Sequence, residues 1–355
     1  MSIAWRDAMR RALYGPDGFF VAGTGPADHF RTSVHASPAF ATALLRLVTE
    51  VDAALGHPDR LDVVDVGAGR GELLHALLAS VGVAVAVSAR PLSEEPSLVT
   101  ARPSLAERVR FTAVEYAGRP ENLPEEIDWT SEIPTGITGV LLATEWLDNV
   151  PLDVAVHTED GWRYVLVDPE TGAESVGEPV SPADLDWLTK WWPSPETPHR
   201  NQQRAEIGRT RDEAWADAVR KIEQGLAVAV DYGHLREARP VDGTLTGYRG
   251  GRQVPAVLDG SSDVTAHVAM DSVASAGAAV ARCAYSLVLQ REALRALGAD
   301  GRRPPLSLAG TDPAGYVRAL TAASAVAELT DPAGLGGHWW LRQPVGIPLG
   351  PPVAR

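Results

Sequence analysis

The sequence predicts an α/β fold, a parallel sheet with helices on both faces, and three observations predict it. Apolar runs of strand length alternate with segments whose apolar residues recur at helical spacing. Two of those runs, residues 61–66 and 226–231, carry an acid at or near their end. Between the first run and its helix lies Gly67-Ala68-Gly69-Arg70-Gly71, alternate glycines at the turn where an α/β sheet presents backbone to a ligand.

The elements follow in chain order. Leu44, Val48, Val51 and Leu55 share a helical face ahead of the first strand, residues 61–66. Leu73, Leu74, Leu77 and Leu78 give the helix after the glycines its buried stripe. A second strand is expected at 83–88 and another at 137–144. Residues 153–156 and 162–167 flank Glu159-Asp160-Gly161 and read as a hairpin. Trp187, Trp191 and Trp192 then precede Pro193, Pro195 and Pro198. Trp215, Val219 and Ile222 mark the helix before the strand at 226–231. Residues 1–60 read as an N-terminal helical segment that closes over a domain spanning 61–355, with an insertion at about 151–210. The Pro- and Gly-containing stretch 239–260 reads as a loop lid. Residues 269–281 are too rich in small side chains to assign.

Composition bounds the function. The 355 residues carry 32 Lys and Arg against 46 Asp and Glu, a net charge of -14. Such a surface repels phosphate backbones, which excludes nucleic acid as the main partner and suits a basic protein segment or a cationic small molecule. One cysteine, Cys283, excludes internal disulfides and a multi-cysteine zinc site. No apolar run reaches membrane-spanning length, and the start of the chain has arginines without an apolar core. The expectation is a soluble cytoplasmic protein without a membrane segment.

The glycine spacing separates two ligand classes. A dinucleotide fingerprint places its third glycine three residues after the second, whereas Gly71 follows Gly69 by two. Asp65 suits S-adenosylmethionine, whose amino group and sulfonium are cationic. The bland alternative is a turn that only lets strand and helix pack.

Three clusters follow strand ends, where α/β chemistry concentrates: Glu145-Trp146-Leu147-Asp148-Asn149-Val150-Pro151, Asp231-Tyr232-Gly233-His234, and Asp263-Val264-Thr265-Ala266-His267. Each has a structural alternative. Asp148 would cap a helix, Asp231 would hold a turn, Tyr232 would be core, and His267 would be a satisfied structural histidine. A helix over 263–267 would put Asp263 and His267 on one face, but a metal site there lacks a third ligand.

Taken in order, these motifs resemble the MidA family of S-adenosylmethionine-dependent methyltransferases. The resemblance also rests on Leu13-Tyr14-Gly15-Pro16-Asp17-Gly18-Phe19-Phe20, His29-Phe30-Arg31-Thr32-Ser33 and Gly243-Thr244-Leu245-Thr246-Gly247-Tyr248-Arg249, and runs from residue 13 to about 270. It implies a class I methyltransferase Rossmann-like sheet with a family-specific insertion. It implies S-adenosylmethionine as cofactor, with Asp65, Gly67, Ala68, Gly69 and Gly71 around it and Tyr14, Arg31, Thr32 and Ser33 closing over. A mitochondrial relative modifies arginine, which implies a protein substrate. Glu145 and Asp148 would then hold a guanidinium, with Asp231 or His234 as the next choice.

Two departures stand out. Relatives carry an acid at the end of the second strand, where residues 83–88 offer only Ser88, with Glu115 or a water to assist. Thr144 stands where relatives have asparagine. The missing acid favours one rival reading, a catalytically silent binding or assembly protein on the same fold. The other rival, a nicotinamide-dependent oxidoreductase, would want that acid as well.

Overall fold

The computed structural model describes residues 1–22, 33, 38–88, 103–192, 203–299 and 301–350, with backbone alone over 83–88. Its main sheet holds β1 (Leu61–Val66), β2 (Val109–Val114), β3 (Ile127–Thr130), β4 (Ile137–Thr144), β5 (Ile222–Asp231), β6 (Ser286–Leu289) and β7 (Trp339–Val345). They lie in the order β6-β7-β5-β4-β1-β2-β3. Strands β1 to β5 pair in parallel, and β7 runs antiparallel between β5 and β6.

The pleat sorts side chains to two cores. Val63, Val140 and Val228 face the helices Pro38–Ala54 and Glu72–Ser88, packing on Phe40, Leu44, Leu74 and Leu77. Their neighbours Val64, Leu141 and Ala227 face the helices Arg209–Arg220 and Met270–Ala281, packing on Trp215, Val219 and Val273. The small residues of 269–281 allow a close helix crossing. A Cβ on Gly277 would stand 2.4 Å from the Trp215 indole nitrogen.

The strand expected at 83–88 is not formed. The helix from Glu72 continues through Ser88, and the sheet neighbour of β1 is β2. Val83-Ala84-Val85-Ala86-Val87 has no proline or glycine to stop a helix, and a short apolar run is compatible with either state. Ser88 therefore does not stand at a strand end.

Residues 153–207 contribute a second, antiparallel sheet. Its path is Ile3–Ala4, Gly161–Val167, Asp153–Thr158, Arg204–Ile207, with Glu174–Pro179 also on Gly161–Val167. The N-terminus is thus a strand of this sheet, and the helix Trp5–Tyr14 buries Trp5, Met9 and Leu13 against Val154, Val165 and Val167. Trp187 and Trp192 pack with Leu188 and Ile207 nearby. Pro193, Pro195 and Pro198 lie outside the described residues.

The stretch expected as a loop lid contains a hairpin. Thr246–Arg249 and Arg252–Val254 pair, and Asp263–Thr265 adds a third strand. Gly250 and Gly251, at φ 56° and 76°, make the two-residue turn that such a hairpin requires. Asp263 and His267 consequently share no helical face.

Candidate active site

The order of the main sheet reverses between β1 and β4, and a crevice opens at the carboxyl ends of strands at such a point. There the protein has a cavity of about 380 Å³, lined by Asp65, Gly67, Ala68, Gly69, Glu115, Glu145 and Asn149 among others. Gly67 has φ 72°, and a Cβ there would stand 3.0 Å from the Trp146 ring. Gly71 has φ 80°, and a Cβ there would meet Leu123 at 2.6 Å.

The second strand ends in an acid after all. Glu115 follows β2 directly, accepts from the Gly69 amide at 3.0 Å through Oε2 and from its neighbour Tyr116 N–H at 2.7 Å through Oε1. The apparent departure arose from placing the strand at 83–88. Burial raises the Glu115 pKa against the pull of those amides. Asp65 is pushed up to about 8, chiefly by burial and then by Glu72 and Glu115.

Asp65, Glu72, Glu115, Glu132, Glu145 and Asp217 line the cavity against Lys221 as its lysine. A cation entering would favour the charged forms of Asp65 and Glu145, which burial disfavours. Val66, Leu73, Val114 and Ile133 supply an apolar wall for a flat ring.

Beyond the cavity the sequence motifs form a tight turn. Glu145 takes φ 52°, a left-handed conformation uncommon outside glycine, and its N–H donates to Val230 O at 2.8 Å. Its Oε1 accepts from Ser33 N–H at 3.1 Å. Burial pushes its pKa up to about 8, Ser33 opposes that rise, and Asp148 adds to it. The 3-10 turn Leu147–Asn149 follows.

Asp231 holds that turn. Its Oδ2 accepts from the Leu147 and Asp148 amides at 3.0 and 3.2 Å, and its Oδ1 accepts from Tyr232 N–H at 3.0 Å. We expect Asp231→Ala to lower the unfolding free energy by about 2–4 kcal/mol in urea titration, because it strands two buried amides.

Asp148 does not line the cavity and is 3% exposed. Its Oδ2 accepts from the Tyr232 hydroxyl and from Thr265 Oγ1, the latter at 2.7 Å, while Oδ1 is buried without a partner among the described residues. Burial raises its pKa, against the pull of Thr265 and Tyr232. Buried Arg211 closes this region by donating to backbone carbonyls, including those of Ala266 and His267 at 2.9 Å each.

His234 is also away from the cavity. Its Nδ1 lies 2.7 Å from Arg239 Nη1, its ring stands edge-on to Trp192, and burial with Arg239 pushes its pKa down to about 3. His267 lies against Tyr232 at 5.1 Å between ring centroids. Asp263 accepts from the Asn149 side chain at 2.7 Å. Among the described residues no group of three His, Cys, Asp or Glu is arranged to hold a metal ion. Thr32 and Arg31 lie outside the described residues; Tyr14 and Thr144 line the cavity.

A family described as "Putative S-adenosyl-L-methionine-dependent methyltransferase" matches residues 43–287. The chain belongs to this family. A relative from Danio rerio, named protein arginine methyltransferase NDUFAF7, mitochondrial, is 28% identical over 344 residues, covering 88% of this chain and 76% of its own. Its Xenopus tropicalis counterpart of the same name is 24% identical over 317 residues, covering 83% and 71%. A COG1565 superfamily protein of Burkholderia thailandensis, crystallised bound to S-adenosyl-homocysteine, superposes with a TM-score of 0.74 at 22% identity, covering 98% of this chain and 89% of its own. The fold is that of S-adenosylmethionine-dependent methyltransferases, and the cofactor of this family member is S-adenosylmethionine.

The residues present fit that cofactor. Glu115, just after the strand beside the glycine loop, would take the ribose hydroxyls, Asp65 the cationic end, and the open backbone of Gly67, Ala68 and Gly69 the close approach. Glu115→Gln is expected to weaken S-adenosylhomocysteine binding by at least about tenfold in calorimetry, since a charged acceptor becomes a neutral one.

Asp65, if it meets the cationic end of the cofactor, gives binding a pH dependence. A bound cation favours its ionised form, so binding releases a proton and affinity for S-adenosylmethionine should rise as pH increases from about 6 to about 9. Without ligand the sign reverses. The folded state holds the Asp65 proton more tightly than the unfolded chain, so stability falls as pH rises from the ordinary carboxylate range through about 8. Calorimetry in buffers of different ionisation heat and thermal midpoints across this range check both.

Proposed function

We propose that the methyl acceptor is an arginine side chain of a protein and that Glu145 holds its guanidinium. The observation that carries the reading is a carboxylate on the cavity wall, fixed at φ 52° and bound by Ser33. A guanidinium offers five donors and no acceptor, and a carboxylate meets it through two parallel hydrogen bonds. The NDUFAF7 relatives carry arginine methyltransferase in their names, and the net charge of -14 suits a basic partner.

S-adenosylmethionine, when bound, supplies an electrophilic methyl group on a sulfonium. The chain's own residues orient the acceptor and exclude water, and no covalent link to the protein is required. Glu145 turns one guanidinium nitrogen toward the cofactor cavity. Asp148, buried behind it, anchors Tyr232 and Thr265 instead of touching the acceptor. Glu115 removes the ground on which a silent binding module was favoured.

The test is incubation of the protein with methyl-labelled S-adenosylmethionine and a cellular protein extract, read by mass spectrometry of tryptic and chymotryptic peptides. Label on arginine is the expected result. Label confined to lysine, carboxyl groups or small molecules would refute the acceptor. No helix among the described residues is long and apolar enough to cross a membrane.

A further inference from the structure

Glu145 is held from a part of the chain that has no place in the cofactor cavity. Ser33, whose amide donates to Glu145 Oε1, is fully buried, and its hydroxyl meets the side-chain amide of Gln290. Ser33 Oγ lies 3.3 Å from Gln290 Oε1 and 3.1 Å from Gln290 Nε2. Gln290 starts the helix Gln290–Ala296 and is itself fully buried.

The remaining capacity of that amide is also used. Nε2 donates to Leu329 O at 3.1 Å, and Oε1 accepts from Trp340 Nε1 at 3.1 Å. The Gln290 backbone N–H donates to His338 O at 2.7 Å. A carboxamide has two donors and two acceptor sites, and here each has a partner. A fully satisfied buried polar network fixes one geometry, which an apolar side chain of the same volume would not do.

The chain Trp340 to Gln290 to Ser33 to Glu145 therefore ties the wall of the cavity to β7 and to the end of the C-terminal helix Pro313–Leu329. The network holds the carboxylate through Oε1.

We propose that Gln290 is a positioning residue: through Ser33 it sets the orientation and ionisation of the Glu145 carboxylate. Its catalytic consequence rests on the reading of Glu145 as the group that holds the acceptor. Its consequence for the Glu145 proton does not. Asp148 on the adjoining turn disfavours the Glu145 charge, as burial does, while Glu145 in turn raises Asp231 at the end of β5 and Asp263 on the strand Asp263–Thr265. The Ser33 amide acts in the opposite sense. Loosening Ser33 therefore moves Glu145 toward its protonated form.

The experiment follows Glu145 by carbon NMR of side-chain-labelled glutamate in the full chain, the signal assigned with Glu145→Gln. Gln290→Leu removes the whole junction, and Ser33→Ala removes only the hydroxyl while keeping the amide. Trp340→Phe removes a different partner of Gln290 and leaves both contacts to Ser33. The expected result is that Gln290→Leu and Ser33→Ala raise the Glu145 titration midpoint by about half a pH unit or more, while Trp340→Phe leaves it in place. The acid limb of methyl transfer moves with it. An unchanged midpoint in folded Ser33→Ala overturns the proposal, whether or not Gln290→Leu folds. A raised midpoint together with undiminished arginine methylation by Glu145→Gln supports the positioning role and refutes the acceptor role of Glu145.

Discussion

Gly69→Val is expected to lower affinity for S-adenosylmethionine by at least about 100-fold, which corresponds to about 2.7 kcal/mol. Gly69 sits at φ 59°, a region where a β-branched side chain costs about 1–3 kcal/mol of backbone strain. Relief of that strain moves the amide that donates to Glu115 Oε2, so the substitution disturbs the loop and Glu115 together. The added isopropyl group also stands on the cavity lining itself. The strain is local to the loop that lines the cavity. Calorimetric titration alongside a thermal melt separates lost binding from lost folding. Binding within a few fold of the original protein would show that the loop does not hold the cofactor.

Glu145→Gln is expected to reduce kcat for arginine methylation by about 100- to 1,000-fold while leaving cofactor affinity within about threefold. The substitution keeps shape and removes charge. A neutral amide presents one donor group to a guanidinium that has only donors, so one of the two parallel bonds becomes a repulsion. The wild-type rate should rise with pH as Glu145 ionises near pH 8, where burial places it, and the variant should lose that limb. Initial rates from about pH 6.5 to about pH 9.5 on a verified acceptor decide the matter. Retained turnover would place the acceptor-holding group elsewhere.

The sheet was legible where pattern and chemistry coincide. Residues 61–66, 137–144 and 226–231 are apolar runs that end near acids, and each is a strand of the main sheet. Where a run is only apolar, the pattern is ambiguous. Residues 83–88 continue a helix, while Val109–Val114, whose arginine and threonine break the apolar run, supplies the neighbour of β1. That one displaced strand left Glu115 an assisting group instead of the strand-end acid, because the acid is recognised by its place after a strand and not by its local sequence.

The site motifs were visible as strand-end clusters, but their division of labour was not. Asp148, Asp231 and Glu145 look alike in the sequence, and only burial and partners distinguish a wall of the cavity from a buried anchor and a turn clamp. Gln290 and Ser33 stand 257 residues apart, and no local pattern joins them. Gly250-Gly251 did carry a readable hairpin signal, masked by the loop-like composition around it.

The most direct test of the central claim is a crystal structure of the full chain with S-adenosylhomocysteine and an arginine-containing peptide. The account predicts ribose hydroxyls on Glu115, the amino end of the ligand beside Asp65, and the guanidinium on Glu145 with a nitrogen facing the sulfur. A ligand seated outside the cavity between β1 and β4, or a guanidinium that leaves Glu145 untouched, would contradict it.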